Sequence, residues 1–158
     1  MLNRLEDYVV YLEDLAVGDR FVSPARTVTE ADIVAFAGLS GDFNPLHTDA
    51  VAAGDSAFGQ RIAHGLLVLA IASGLSARTP VIKFMEHSVL GLLGVECRWL
   101  KPTLIGDTIH VVLEVTGKRA TSKPGRGVVE MRRSAVNQRG ETVMESTWTT
   151  LVRARPAS

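Results

Sequence analysis

One acidic and one imidazole side chain lie five residues apart in a turn-rich stretch of the chain. Asp42 and His47 flank Asn44 and Pro45. Proline fixes its own φ and biases the preceding residue toward an extended conformation, so this turn can direct both side chains toward one point. A carboxylate and an imidazole that share one water can remove a proton and return one elsewhere, which is general acid–base chemistry. The alternative is a capping aspartate in a loop and a surface histidine.

A second candidate site lies at Gly65, where an apolar helix is expected to begin directly after residues 58–64. The first backbone N–H groups of a helix have no partner within the helix and lie at the positive end of its dipole. A glycine at this point lets a ligand carbonyl approach closely, so the Gly65 N–H can act as an oxyanion donor. The alternative is a glycine that is needed only for close packing.

Ser73 is a candidate for the same pocket. It follows Gly65 by eight residues, which places it about 80° around an ideal helix and roughly 12 Å along its axis. A small residue that lets a sheet approach the helix would give the same pattern. The residues alone leave both interpretations open.

His64 is a candidate metal ligand. With Asp42, His47 and Asp49 it would supply two imidazoles and carboxylate oxygens. No His-x-x-x-His or similar spacing supports that set, so we expect no metal. Cys97 is the only cysteine, which excludes an internal disulfide and a cysteine metal site. Because it alternates with apolar neighbours, we expect a buried structural thiol, and no nucleophile motif argues for covalent catalysis.

Two helices are expected to position these residues. Residues 29–32 have the form of a capping box, and apolar residues at helical spacing follow them, so a helix should run to the glycines at 38–41. The segment 65–78 has no polar face. A helix that is apolar all round is a buried one, so other elements must cover this second helix on most sides.

The rest of the chain alternates with the period of β-strands. Strands are expected at 20–27, 95–99, 109–115, 128–136 and 142–152, with a hairpin turn at 137–141. Tight connections between the last four strands favour an antiparallel sheet. A curved antiparallel sheet around one helix is the simplest way to cover that helix, so the predicted fold class is α+β.

Composition limits the classes of function. The chain has 158 residues with 17 basic and 17 acidic side chains, and this balance argues against a chain-wide affinity for nucleic acid or a membrane surface. The length suits a single domain spanning 1–158. The most apolar stretch, 62–77, is shorter than a membrane-spanning helix, and the first residues lack the apolar core of a signal peptide. We therefore expect a cytoplasmic protein.

Charge is unevenly distributed along the chain. Residues 1–116 hold eight basic and fourteen acidic side chains, whereas residues 117–158 hold nine basic and three acidic ones. This pattern is typical of a solvated, arginine-rich edge hairpin. The alternative is a local basic patch around 117–126 that approaches the phosphates of a ligand.

Two segments resemble a known family. Ser40-Gly-Asp-Phe-Asn-Pro-Leu-His-Thr-Asp49 resembles the hydratase-2 motif of MaoC-like dehydratases and (R)-specific enoyl-CoA hydratases, and Phe58-Gly-Gln-Arg-Ile-Ala-His-Gly-Leu66 resembles a second block of that family. The likeness keeps their order and spacing and covers nearly the whole chain. It implies a hot-dog fold, in which a curved antiparallel sheet wraps a long central helix and which usually dimerises through its sheets.

The resemblance also implies an activity, the syn addition of water to a trans-2-enoyl thioester or the reverse dehydration of an (R)-3-hydroxyacyl thioester. Asp42 and His47 would be the catalytic pair, and Gly65 would donate its N–H to the thioester carbonyl. The residues implied to bind substrate or to order the site are Asn44, His64 and Ser73. No metal or separate cofactor is implied, because coenzyme A or acyl carrier protein arrives as part of the substrate. The implied partners are an acyl-CoA thioester and further copies of the chain, in a homodimer or a dimer-based higher oligomer.

Three alternatives to this function stay open. A hot-dog thioesterase would share the fold and the substrate but would release a free acid. A non-catalytic acyl-thioester binding or assembly subunit would bind without turnover, and the presence of both Asp42 and His47 weighs against it. A hydratase for a small branched or dicarboxylic acyl-CoA would keep the same catalytic residues.

Overall fold

The computed structural model describes residues 7–156, which form one 3-10 turn, five helices and six strands. The 3-10 turn is Leu12–Asp14, and the helices are α1 (Glu30–Ser40), α2 (Pro45–Thr48), α3 (Ala50–Gly54), α4 (Gly65–Ala77) and α5 (Pro80–Phe84). The strands are β1 (Arg20–Val22), β2 (Arg26–Thr27), β3 (Val89–Trp99), β4 (Thr108–Ala120), β5 (Arg126–Val136) and β6 (Thr142–Arg153). No helix in this part of the chain is long and apolar enough to cross a membrane.

The strands form a mainly sequential antiparallel sheet in the order β1, β4, β5, β6, β3, and β2 also pairs with β4. The predicted hairpin turn at 137–141 joins β5 to β6, where the Asn137 N–H donates to the Glu141 carbonyl at 2.9 Å. Helix α1 begins at the predicted capping box, in which the Thr29 hydroxyl oxygen accepts from the Asp32 N–H. The predicted α+β class is confirmed.

The single strand predicted at 20–27 is instead two short strands. The ladder with β4 continues to Ser23, whose N–H donates to the Val111 carbonyl at 2.9 Å. Pro24 follows and has no N–H to donate, so pairing stops there and resumes at Arg26.

Helix α4 packs on the concave face of the sheet. The core-facing residues of β4, among them Ile109, Val111 and Leu113, are fully buried, and the side chains of Val68 and Ile71 in α4 belong to the same core cluster. Full burial of an aliphatic side chain of this size contributes about 1.5–3 kcal/mol. Packing against the sheet therefore holds α4, and with it the first turn at Gly65, in a fixed position.

One strip along α4 is not covered by the other elements of residues 7–156. Leu66, Ala70, Gly74 and Ala77 recur at helical spacing and are exposed. The apolar residues of β3 are exposed as well, and this strand pairs only with β6 among the described residues. Residues 7–156 therefore leave an apolar strip on the helix and a free apolar edge on the sheet.

Candidate active site

The turn after α1 is ordered by side-chain hydrogen bonds. Helix α1 ends at Ser40 and is capped by Gly41, which adopts the left-handed conformation with φ of 77°. An Asp42 carboxylate oxygen then accepts from the Asn44 N–H at 3.2 Å, and the Asn44 side-chain oxygen accepts from the Leu46 N–H at 2.9 Å. Pro45 occupies the first helical position of α2, where no N–H is needed. Asn44 therefore orders the loop, and it is the N-cap of the short helix that carries His47.

His47 is held in one orientation by a backbone carbonyl. Its Nδ1 lies 2.8 Å from the Ile62 carbonyl oxygen. A carbonyl can only accept, so Nδ1 carries the proton and Nε2 keeps a free lone pair. The ring is half-buried and lines a cavity of about 320 Å³. His47 is thus arranged as a base whose accepting nitrogen is not used by the Ile62 contact.

His64 lies behind His47 and is almost completely buried, at 2% exposure. Its Nε2 donates to the backbone carbonyl of Asp42 at 3.0 Å, and its ring stacks on that of His47 with 3.9 Å between centroids. The ring of Phe36 also packs against that of His64, with 5.0 Å between centroids. The sequence analysis assigned His64 to substrate binding, but its ring contacts the turn that carries Asp42 and is not among the residues that line the cavity.

Asp42, His47 and His64 place their ligand-type atoms within 4.8 Å of one another. Asp42 is exposed, so its carboxylate is accessible beside the half-buried imidazole. The two rings are inclined by only 29°, so their nitrogen lone pairs lie in nearly parallel planes. One nitrogen of each ring is also committed to a carbonyl. This geometry suits proton transfer better than a shared metal, and the absence of a metal stays a prediction.

Gly65 is the first residue of α4 and lies against Trp99. The indole Nε1 donates to the Gly65 carbonyl at 2.7 Å, and a Cβ added to Gly65 would lie 2.8 Å from indole ring atoms. A contact of 2.8 Å is closer than real Cβ atoms adopt, so Trp99 requires glycine here. The Gly65 N–H is the first of the helix and has no intrahelical acceptor. Gly65 and Trp99 both line the cavity that contains His47.

The segment before Gly65 is fixed by the turn that precedes β4. The Ala63 N–H donates to the Thr103 carbonyl at 2.8 Å. The nearly buried Asp107 accepts from the Leu104 N–H at 2.9 Å and pairs with Arg139 at 2.9 Å. Burial raises the pKa of Asp107, but the hydrogen bonds from Arg139 and the Leu104 N–H outweigh it and hold that pKa below its ordinary value. The turn that contains the ionised Asp107 carboxylate therefore supports the wall of the cavity.

Ser73 lies in a different cavity. It is half-buried on α4 and lines a space of about 190 Å³ between the helix and the sheet, together with Trp148 of β6. That space does not include His47 or Gly65 among its lining residues. A larger cavity of about 460 Å³ lies between α1 and α4 and contains none of the predicted catalytic residues.

Two residues of the cavity were not singled out by the sequence. Trp99 shares the strand parity of Val95 and Cys97, which suggests a core position, yet it is 47% exposed and lies over Gly65. Lys101 lines the same cavity and pairs with Glu141 at 2.6 Å. No local spacing connects either residue to the histidine turn. Cys97 is half-buried rather than buried, and burial raises the pKa of its thiol.

The basic hairpin is remote from this cavity within one protomer. β4 is 13 residues long, which spans roughly 40 Å at the rise of a strand. The cavity adjoins the segment before Thr108, whereas the basic loop follows Ala120 at the other end. Lys118 is engaged locally, because its Nζ donates to the carbonyls of Leu12 and Leu15. Contact between this loop and the phosphates of a ligand in the same protomer is not supported by the geometry.

Known proteins match most of the length of this chain. Residues 15–137 match the family model described as a MaoC like domain. The chain is 40% identical over 129 residues to Protein MaoC of Klebsiella aerogenes, covering 81% of the chain and 36% of that protein. It is 33% identical over 148 residues to an (R)-specific enoyl-CoA hydratase of Rhodospirillum rubrum, covering 92% of the chain and 93% of the relative. The chain thus spans about a third of the first relative and nearly all of the second.

Solved structures of other proteins have a similar fold. A monoamine oxidase regulatory protein from Archaeoglobus fulgius has a TM-score of 0.88 at 39% identity, with 94% of this chain and 97% of that chain covered. A Mycobacterium tuberculosis protein with a double hot-dog fold has a TM-score of 0.81 at 24% identity, with 95% of this chain and 46% of that one covered. The expected hot-dog fold is confirmed. On the match of its residues 15–137, the chain belongs to the MaoC-like dehydratase family.

Proposed function

We propose that this protein is a hydro-lyase that interconverts a trans-2-enoyl thioester and an (R)-3-hydroxyacyl thioester. The proposal rests on one observation. The imidazole of His47, whose Nε2 is free, lies beside the accessible carboxylate of Asp42. The name of the Rhodospirillum relative, an (R)-specific enoyl-CoA hydratase that this chain matches over nearly its whole length, supports the same reaction. The thioester carrier is coenzyme A or acyl carrier protein, and it is substrate rather than cofactor.

The reaction needs one group that accepts a proton from the attacking water and one group that donates a proton to the substrate. In the hydration direction the water oxygen bonds to C3 and a proton is added to C2. His47 accepts a proton from the water through Nε2, and the Asp42–His47 pair returns a proton to C2. His64 and Asn44 do not contact the reacting atoms; they hold the turn that carries the pair.

Gly65 provides the hydrogen bond that polarises the thioester carbonyl. Its N–H points from the start of α4, where the helix dipole adds partial positive charge. A thioester carbonyl that accepts this N–H is polarised, and the negative charge that develops on its oxygen during addition to C3 is stabilised. The peptide plane that carries this N–H also contains the His64 carbonyl, which accepts from the Val68 N–H at 3.1 Å, so the direction of the donor is set before substrate binds.

The proposed functional form of the protein is a homodimer. The exposed strip on α4 and the free apolar edge of β3, which includes Leu90, Leu92 and Leu93, are surfaces that a second copy would cover. Sedimentation velocity at micromolar concentration should show a dimer or a multiple of it. A 17.0 kDa monomer as the only species would contradict this.

One assay separates the hydratase from the thioesterase and from the non-catalytic binding subunit. With a short trans-2-enoyl-CoA, a hydratase removes the absorbance of the conjugated enoyl thioester without releasing thiol. A thioesterase releases free coenzyme A, which a thiol reagent detects, and a binding subunit does neither. Loss of the enoyl absorbance without thiol release is the expected result. Thiol release at the same rate as enoyl loss, or no change in either signal across several chain lengths, would overturn the proposal.

A further inference from the structure

An arginine occupies a core position of the sheet. Along β5 the side chains alternate, and Arg133 shares the inward-facing parity of Met131 and Ala135. It is 7% exposed, whereas its neighbour Arg132 points to the other face, where it pairs with Glu114 at 2.9 Å. Arginines are almost never this buried unless they are paired.

Arg133 has no ionic partner among residues 7–156. No carboxylate in that range comes within 4.0 Å of its guanidinium, and its buried Nε has no hydrogen-bond acceptor. The guanidinium stacks on the ring of Trp148 at 3.9 Å, a contact that offsets only part of the cost of burying a charge. Burial without a compensating anion lowers the pKa of Arg133 to about 10. The group remains a cation at neutral pH and lacks an anion.

The same arginine lines the 190 Å³ cavity between α4 and the sheet. The walls of that cavity are mainly apolar, with Ala77 and Leu92 among them, and Ser73 and Thr150 bring hydroxyl groups. A space of this kind accepts a short aliphatic segment that ends in an anion. A carboxylate fits the planar guanidinium through two parallel hydrogen bonds and carries one charge, whereas the second charge of a phosphate would stay unpaired among apolar walls.

The position of Ser73 relates this cavity to the reaction. Ser73 lies eight residues after Gly65 on α4, roughly 12 Å further along the axis. An acyl chain whose thioester carbonyl accepts from the Gly65 N–H and which extends along α4 would therefore bring its far end to the cavity that Arg133 lines. The two sites are at a separation that one extended substrate can span.

We propose that Arg133 binds the terminal carboxylate of a dicarboxylic acyl thioester, so that the preferred substrate is an enoyl monothioester with an acid group at its far end. This inference rests on the proposed function, because it names the substrate class of the same reaction. The aliphatic part of the chain lies among the apolar walls, and the hydroxyls of Ser73 and Thr150 are the further donors available to the carboxylate.

Kinetics with matched substrates test the assignment. For trans-2-enoyl-CoA substrates of equal length, from six to ten carbons, with and without a terminal carboxylate, the wild type should show a higher kcat/KM for the acid by about ten- to a hundredfold, the range of a charge-assisted hydrogen bond. Arg133→Met should abolish or reverse that preference. Arg132→Met, the same change on the opposite face, should keep it. A wild-type preference for the uncharged chain, or an unchanged ratio in Arg133→Met, would overturn the inference.

Binding separates this inference from the proposed reaction. Calorimetry with saturated acyl-CoA pairs, which cannot be hydrated, should show tighter binding of the chain with a terminal carboxylate and loss of that difference in Arg133→Met. If the protein hydrates no enoyl-CoA, the reaction is wrong, but a retained and Arg133-dependent difference still supports the site. Equal affinity of wild type for both ligands refutes the site whatever the activity. Arg133→Met should also raise the unfolding temperature, because it removes an unpaired buried charge; should it fail to fold, Arg133→Gln provides the same comparison.

Discussion

The imidazole rings of His47 and His64 are stacked, with centroids 3.9 Å apart and planes inclined by 29°. Each ring is tied to a backbone carbonyl, His47 to that of Ile62 and His64 to that of Asp42. The buried ring of His64 therefore holds the backbone of Asp42 and supports the side chain of His47. We therefore expect His64 to set the distance between Asp42 and His47 without itself contacting the substrate.

His64→Phe tests this positioning role. The phenyl ring keeps the stack on His47 and the buried volume but loses the donor to the Asp42 carbonyl. One hydrogen bond contributes about 0.5–1.5 kcal/mol, so we expect kcat to fall by about three- to tenfold with little change in KM. Steady-state kinetics on a short enoyl-CoA measure both constants. His87→Phe, at an exposed histidine, is the control and should change neither. An unaltered kcat in a folded His64→Phe protein would refute the role.

The catalytic pair is tested by near-isosteric substitutions. Asp42→Asn removes the carboxylate charge and His47→Gln removes the imidazole base, and each should lower the kcat of hydration at least about a hundredfold, the lower end for a general acid–base group. Circular dichroism should show the wild-type fold for both variants, because neither changes the side-chain size much. Near-wild-type turnover in both would show that the pair is not catalytic.

Sequence patterns predicted the elements that hold this site but not all of its contacts. The period of two in β4 to β6 and the all-apolar run of α4 reflect packing against one core, so the sheet and the central helix could be predicted. Asp42 and His47 lie within one turn, where Pro45 and Asn44 limit the backbone, and their proximity could be predicted as well.

Contacts between distant elements carry no such local signal. Trp99 ends β3 and meets Gly65 at the start of α4, and only the packing of the helix on the sheet brings the two together. The separate cavity around Ser73 depends on where β6 crosses the helix. The buried position of Arg133 could have been predicted from the sequence. Residues alternate between the two faces of a strand, so Arg133 lies on the same face as Met131, which puts a charged side chain on the core face.

Acid should weaken the turn that supports the cavity wall. The folded-state pKa of Asp107 is lowered, so its carboxylate contributes stability that is present above the unfolded pKa of about 3.9 and is lost as pH falls through the folded value. Asp107→Asn should therefore lower the free energy of unfolding by about 1–3 kcal/mol at pH 7, the range for hydrogen bonds to a charged group. Urea denaturation at pH 7 and at pH 3 should show a smaller difference between variant and wild type at the lower pH.

The control for this prediction is Asp55→Asn, at an exposed carboxylate beyond α3. It should leave the free energy of unfolding unchanged at both pH values. A deficit of Asp107→Asn that is equally large at pH 7 and pH 3 would show that the loss is not due to the ionised carboxylate.

The oxyanion role of Gly65 can be tested only if the indole is first removed. Any side chain at residue 65, including the proline ring, places a Cβ 2.8 Å from Trp99 ring atoms. A Gly65 variant in the wild-type background would therefore report a steric clash as well as a lost donor. Trp99→Ala provides the space, and Gly65→Ala and Gly65→Pro in that background form a matched pair that differs mainly in the backbone N–H.

In the Trp99→Ala background, Gly65→Pro should fold. The N–H of the first helical residue lacks an intrahelical acceptor, and His64 already has the extended backbone, with φ of −58° and ψ of 136°, that a residue before proline prefers. Loss of one oxyanion donor typically lowers kcat by about 10²–10³. We expect that loss for Gly65→Pro relative to Gly65→Ala, with binding of a saturated acyl-CoA retained in both. If the folded proline variant keeps more than about a tenth of the kcat of its alanine counterpart, the Gly65 N–H is not the oxyanion donor and the thioester carbonyl must be polarised by another group.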